Sequence, residues 1–256
     1  MSFVKQFVAL AGFAALFFVP SALADQSSIA TRPEHITYLT EDYPPSNFVE
    51  NGELKGYATD LLKAMWRQMK VPPQPIEVTN WARAYNQLEN TQNTMLFATS
   101  RTAERENKFL WVGPIVKNRY VLIGRTDRKI ELATPADAAK YRVGVIRDDI
   151  GQKLLVEAGL SEAKLEKVAD FRQLVKMLKA DRIDLICASN TVLPTFVSYG
   201  DFKVKELHAV STIKNIELYY AFNKDTNPHL IERFQEALKA VEPDRKRFLS
   251  QFGLTP

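Results

Sequence analysis

The strongest constraint on this chain is a regular exchange of two periodicities from residue 35 onward. Short runs of strand character fall at 35–40, 74–78, 94–98, 120–123, 142–146, 164–168, 183–188 and 216–222. Between them lie amphipathic segments with apolar residues three and four apart. Leu61, Leu62, Met65, Trp66 and Met69 form one such stripe; Leu174, Val175 and Leu178 a second; Leu230, Ile231, Phe234 and Leu238 a third. Apolar spacing of that kind marks one buried helix face. Strands that alternate with helices form mostly parallel sheets covered on both faces, so the expected class is α/β.

Stop and start signals support the same partition. Asn80, Asp149, Asp170 and Asn227, the last followed by Pro228, stand where N-caps are needed, and Thr59 or Asp60 could cap the helix through Trp66. Thr134-Pro135 opens a short helix. Asn51-Gly52 between apolar residues signals a hairpin. Residues 190–198 read as helical despite Pro194, 204–208 as short and extended, and 243–252 as a last helix ended by Gly253.

Residues 1–24 are expected to be a secretory signal peptide rather than part of the fold. Lys5 precedes an apolar core over 7–19, and Ala22-Leu-Ala24 is a small-x-small cleavage signal. The apolar run is too short to span a bilayer as a helix. The expected mature protein is exported and periplasmic. Cys187 is the single cysteine of the 256-residue chain, so no intramolecular disulfide can form and stability must come from apolar cores. The net charge of +4 is spread without a Lys/Arg block, which argues against a nucleic-acid partner.

The chemistry is that of binding. His35, His208 and His229 share no metal-ligand spacing, so no metal site is expected. The chain has no G-x-S-x-G, no P-loop and no G-x-G-x-x-G, and no cofactor or catalytic residue is assigned. The loops beyond the strands' carboxyl ends, where open α/β sheets meet ligands, offer Glu41, Asp42 and Tyr43; Trp81 and Arg83; Ser100 and Arg105; Arg147 and Asp148; and Ser189. Arginine forks bind carboxylates, rings cover apolar parts and acids hold amines. Capping accounts for Asp149, leaving Asp148 as the acid of that turn with chemistry to offer. Arg105 admits two readings. It follows Thr102, a candidate N-cap, in a first helical turn where a cation opposes the helix dipole. Either Glu104 or Glu106 pairs with it locally, or its guanidinium and the turn's N–H groups hold an anion.

Several segments in order carry a resemblance. They are the Pro-Pro loop and aromatics from Tyr43 to Phe48, Gly56-Tyr-Ala-Thr-Asp60, Thr99-Ser-Arg-Thr-Ala-Glu-Arg105, Phe109-Leu-Trp-Val-Gly-Pro114, Tyr141-Arg-Val-Gly-Val-Ile146 and Leu218-Tyr-Tyr-Ala-Phe222. Together they resemble the family 3 extracellular solute-binding proteins, the polar-amino-acid type serving bacterial ABC importers. The resemblance implies a type II periplasmic-binding-protein fold, with mixed sheets flanked by helices and a ligand cleft between two lobes. The lobes would be 25–127 with 214–256, and 128–213. It also implies that Arg105, helped by Ser100 and by the backbone of the turn 147–150, grips a carboxylate, and that a membrane ABC permease is the partner of a monomeric protein. The lobe-two acid that commonly holds an α-amino group falls at Ser189, so Glu41, Asp42 or Asp148 would have to take its place. The same scaffold also carries dehydratase-like enzymes and ligand sensors that dock on membrane receptors, and those are the competing readings.

Overall fold

The computed structural model describes residues 32–195 and 202–255. The expected leader lies outside them, as does the end of the 190–198 segment. Among the described residues no helix is long and apolar enough to cross a membrane.

The strands are β1 (Thr37–Thr40), β2 (Phe48–Glu50), β3 (Glu53–Lys55), β4 (Ile76–Val78), β5 (Thr94–Ser100), β6 (Phe109–Arg125), β7 (Val143–Ile146), β8 (Leu165–Val168), β9 (Leu185–Ser189) and β10 (Leu207–Asn223). The helices are α1 (Tyr57–Gln68), α2 (Trp81–Asn90), α3 (Ile150–Glu157), α4 (Phe171–Lys179), α5 (Pro228–Ala240) and α6 (Glu242–Ser250). β2 and β3 form the expected hairpin, with Asn51 and Gly52 both at positive φ.

The other eight strands make one sheet in the order β4-β1-β5-β10-β6-β9-β7-β8. Its two ends are parallel, as the alternation predicts: β1 pairs with β4 and β5, and β7 with β8 and β9. Its centre is antiparallel because β6 and β10, 17 residues each, run past one another along their whole length. Residues 218–222 of β10 lie against β5, and residues 120–124 of β6 against β9. Between these, 117–119 and 215–217 pair only with each other in the sheet. Two long strands thus tie one α/β half to the other.

β6 is far longer than the 120–123 run suggested, because Gly113-Pro114 reads as a break. The register shifts there: Leu218 faces Val116 and Tyr220 faces Val112, leaving Tyr219 opposite the irregular segment. A side chain at Gly113 would run into the Tyr219 ring, so the glycine admits the ring and the bulge absorbs the proline.

Helix starts follow local chemistry. Asn80 accepts from the Arg83 amide at 3.0 Å and Asp170 from Gln173 at 2.9 Å. α1 departs from expectation. It begins at Tyr57, after Gly56 at φ 117°, where any Cβ would sit 2.4 Å from the Ser46 carbonyl oxygen. The close approach of the Pro45–Ser46 backbone, rather than Thr59 or Asp60, sets that end. The 190–198 segment is a 3-10 turn over Asn190–Thr195, and the 204–208 segment is a 3-10 turn over Val204–Glu206 leading into β10.

Three apolar clusters hold the halves. The first packs Tyr38, Trp66, Phe97, Tyr220 and Phe234; another packs Leu122, Val145, Leu154 and Leu185. The remaining one crosses between halves, joining Leu39, Trp81, Leu96 and Phe109 to Ile146, Phe171 and Leu174. The halves are therefore closed on one another.

Candidate ligand-binding site

β5 delivers Ser100 to the interface and the chain then turns. The Arg105 amide donates to the Thr102 carbonyl at 3.0 Å and lies 3.3 Å from its hydroxyl. Thr102 therefore caps the turn as expected, but the turn does not continue as a helix. Arg105 is fully buried. Its Nη1 donates to the Ser100 carbonyl at 3.2 Å, and its Cζ lies 5.1 Å from the Trp81 ring and 4.9 Å from the Tyr85 ring. Trp81 and Tyr85 stand one helical turn apart on α2, which is why both reach the same cation.

Nothing else satisfies the guanidinium: Nε and Nη2 are buried without a hydrogen-bond partner. Both acids of the local reading are engaged elsewhere. Glu104 pairs with Lys153 at 2.7 Å and Glu106 with Arg101 at 2.5 Å. Leaving buried donors unmade costs about 1–3 kcal/mol each, more for a charged group. The arrangement suits an anion, whose two oxygens would take the two free N–H groups as a fork.

Ser100 and Trp81, which Arg105 contacts, line one cavity of about 20 Å³ together with Glu41, Tyr43, Tyr120 and Asp149. Tyr43, Trp81 and Ser189 also join the halves. The Ser189 amide donates to the Tyr43 hydroxyl at 3.0 Å, and the Trp81 indole N–H to the Asp148 carbonyl at 3.0 Å. Glu104–Lys153 and Asp42–Arg172, at 2.8 Å, bridge the rim. The Ser189 hydroxyl is already occupied, lying 2.5 Å from Asn118 Oδ1 and 2.6 Å from Thr191 Oγ1.

Two carboxylates face this space under strong perturbation. Burial raises Glu41 well above the usual carboxylate range, and the charges of Asp149 and Asp42 raise it further against the pull of Arg105. Burial raises Asp149 as well, opposed by Arg105, the Ile150 and Gly151 amides and the Tyr120 hydroxyl. Tyr43 and Tyr120 are pushed well up by burial and by the Asp149 charge, so both stay neutral phenols.

The structure brings together Glu41, Tyr43, Trp81, Ser100, Arg105 and Ser189. It leaves Arg83, Arg147 and Asp148 exposed. Arg83 lies on the side of α2 opposite the buried Trp81, Ala84 and Leu88. Asp148 takes φ 59° and contributes backbone to the interface, while Asp149, one residue on, carries the inward carboxylate. Asp149 does hold the N-cap position of α3, but its side chain closes no cap hydrogen bond. Sequence reading also missed Tyr85, Tyr120 and Asn118. Tyr85 was signalled by its spacing from Trp81; the other two carry no signal until β6 is paired with β9.

A larger groove, about 800 Å³, lies over Lys117, Arg119 and Glu217 of the central paired strands, together with Arg101 and Tyr219. None of Arg105, Glu41, Asp149 and Trp81 lines it. Among the described residues no group of three or more His, Cys, Asp or Glu could hold a metal ion.

Two α/β halves tied by paired long strands, with a polar site closed between them, define a bilobal periplasmic-binding-protein fold. Residues 36–247 match the model of the bacterial extracellular solute-binding proteins, family 3, and the chain belongs to that family. It is 28% identical over 215 residues to an octopine-binding periplasmic protein of Rhizobium meliloti, covering 74% of this chain and 71% of that one. It is 22% identical over 243 residues to a probable histidine-binding protein of Campylobacter jejuni, covering 92% of each. Among solved structures, a histidine kinase sensor domain with similarity to periplasmic binding proteins superposes with a TM-score of 0.76 at 20% identity, covering 88% of this chain and all of that one. An ancestral arginine-binding protein bound to arginine gives 0.74 at 18%, covering 87% of this chain and 100% of that one. At those identities the structures speak for the fold.

Proposed function

We propose that this chain is a non-enzymatic periplasmic binding protein that captures an amino acid or a related carboxylate-bearing solute by lobe closure and passes it to an ABC permease. The observation that carries the reading is Arg105: a buried guanidinium flanked by two rings, with two N–H groups unmade and no acid bonded to it. A carboxylate would complete it. The names of the relatives, octopine- and histidine-binding, supply the amino-acid class. Residues 1–24 would direct export and be removed after Ala24. It would act as a monomer. We place the hinge at 117–119 and 215–217, the stretch of β6 and β10 that pairs with no third strand. That position gives residues 120–127 to the second lobe, whereas the sequence reading gave them to the first. Opening there would separate Tyr43 from Ser189 and Trp81 from Asp148, and a ligand drives closure only through contacts better made in the closed state.

The test is a thermal-shift and calorimetric screen of amino acids and organic acids against the wild type and Arg105→Ala. A carboxylate solute that stabilises only the wild type supports the reading. Undiminished affinity in the variant overturns it.

A further inference from the structure

The groove of about 800 Å³ has the volume of a small-molecule site, and the cleft reading uses none of its cations. It lies on the stretch of β6 and β10 that pairs with no third strand. Successive side chains of a strand point to opposite faces. Asn118 and Tyr120 are buried and line the small cavity of the cleft, whereas Lys117 and Arg119 are exposed and line the groove. The groove therefore backs the cleft across a two-stranded ribbon. Both halves contribute to it. The first half supplies the turn from Arg101 to Glu106 and the residues after α6, and the second supplies Asn190 and Thr191, which follow β9.

Its charge is uneven. Glu106 is taken by Arg101. Glu217 stands opposite Lys117 in the strand register and accepts from the Tyr219 hydroxyl at 2.9 Å. Arg119 stands opposite the neutral Asn215, and no acid holds its side chain among the described residues. Three cations against two acids leave one net positive charge, and its place is Arg119.

The hydrogen bonds give a second, independent observation. The Arg119 backbone N–H donates to Asn118 Oδ1 at 2.9 Å and to Asn190 Oδ1 at 3.2 Å. An N–H only donates, so both amide oxygens are fixed towards it and both NH2 groups are turned away. Asn118 is only 4% exposed, and its oxygen also accepts from Ser189 Oγ. Neither Asn118 Nδ2 nor Asn190 Nδ2 reaches an acceptor among the described residues. Two amide donors and a guanidinium without acceptors of their own thus line one groove.

We propose that this groove is a second binding site, separate from the cleft, for an acceptor-rich organic monoanion such as a hydroxy- or amido-carboxylate. The carboxylate takes the Arg119 fork, and the Asn118 and Asn190 NH2 groups donate to the ligand's hydroxyl or carbonyl oxygens. One carboxylate balances the single net charge. Asn190 belongs to the second half and Arg119 to the ribbon, so a molecule held by both favours the closed form in which they stand together. By linkage it strengthens solute binding in the cleft, and the cleft solute strengthens its binding in return. That coupling rests on the lobe-closure reading above; the groove site itself does not.

The experiment is calorimetry on the full mature protein and on Arg105→Met, which removes the cation of the cleft. The probes are D-gluconate, N-acetylglycine, acetate and glycerol. D-Gluconate or N-acetylglycine is expected to bind Arg105→Met at least about 10-fold more tightly than acetate or glycerol. Adding Arg119→Gln should weaken that binding by about 10-fold or more, and adding Asn190→Ala by about 5-fold, with Tm reporting that the fold is kept. Small-angle scattering of Arg105→Met with the saturating probe should shift towards the compact form, and the shift should vanish with Arg119→Gln. Binding that survives Arg119→Gln but is lost in Arg105→Met puts the probe in the cleft, which overturns the groove site and upholds the carboxylate reading. Acetate binding as tightly as D-gluconate and N-acetylglycine, or silence from both of those probes, overturns the site. Arg119-dependent binding without a scattering shift upholds the site and overturns its coupling to closure.

Discussion

Two arginines four residues apart on the same turn differ in what satisfies their charge, and the difference is what singles out Arg105 as the proposed ligand contact. Arg101 and Arg105 each lie over two aromatic rings, Trp111 and Tyr219 for the first, Trp81 and Tyr85 for the second. Arg101 is partly exposed and bonds Glu106 through both Nε and Nη2. Arg105 is fully buried and bonds only a carbonyl oxygen. Ring contacts are common to both, so they do not mark the site. Burial combined with unmade donors sets Arg105 apart and carries the proposed role, because a desolvated charge without a partner persists only where another requirement holds it.

The largest expected effect comes from breaking that contrast at Arg105. Truncating one member of a buried, hydrogen-bonded charge pair costs about 2–5 kcal/mol, which is roughly 30-fold or more in Kd. Arg105→Ala should lose at least that much affinity for the solute found by the thermal-shift screen, measured by calorimetry. Arg105→Lys should recover only part of it, since an ammonium cannot make the two parallel bonds of the fork. The ligand-free melting temperature should not fall in Arg105→Met, where an apolar stem replaces a charge whose donors are unmade. A marked drop there would mean that the guanidinium serves the fold.

How far such a contrast is legible in a sequence depends on backbone geometry. The α/β class, the hairpin at Asn51-Gly52 and the caps at Asn80, Asp170 and Asn227 follow from local chemistry and are found as expected. Arg105 could be picked out because its two possible partners are its own neighbours, and the structure shows both taken. Asp148 and Asp149 could not be told apart. The left-handed conformation at Asp148 turns one carboxylate out and the next one in, and capping offered a cheaper account of Asp149. The antiparallel centre was hidden for a similar reason. Gly113-Pro114 looks like a break until Tyr219 is seen filling the space above the glycine.

Effects of middle size are expected from the contacts that join the two halves and that the proposed lobe motion would make and break. Trp81→Phe keeps a ring beside Arg105 but removes the N–H that donates to the Asp148 carbonyl across the cleft. Losing one such bond should weaken ligand binding by about 5- to 10-fold with no change in fold, seen as faster dissociation. pH acts on the same equilibrium. Burial raises the proton affinity of Glu41 and Asp149 here, so this closed form binds more protons than the unfolded chain and, on the proposed lobe motion, than an opened one. Its stability therefore increases as pH falls from the raised values towards the ordinary carboxylate range, and the gain is complete below it. Ligand-free protein should show more of the compact form by small-angle scattering at pH 5 than at pH 7.5. Glu41→Gln should flatten that dependence.

The smallest effect is expected at Arg101, and it is the control that gives the comparison its force. Its ion pair with Glu106 lies at the surface, where solvent screens the attraction and ordering two long side chains offsets much of it. Burial disfavours the Arg101 charge, but the Glu106 hydrogen bond outweighs it and holds the guanidinium firmly protonated, so no pH step between 5 and 9 should arise there. Arg101→Ala should shift Tm by no more than about 2 °C, and should change ligand affinity by less than about 3-fold because no group of the cleft contacts its guanidinium. Arg101 does line the larger groove over the proposed hinge, and its guanidinium lies over the Trp111 and Tyr219 rings. Should affinity fall as far in Arg101→Ala as in Arg105→Ala, the turn would be acting as one rigid unit, and burial without a counter-ion would lose its standing as the mark of the site.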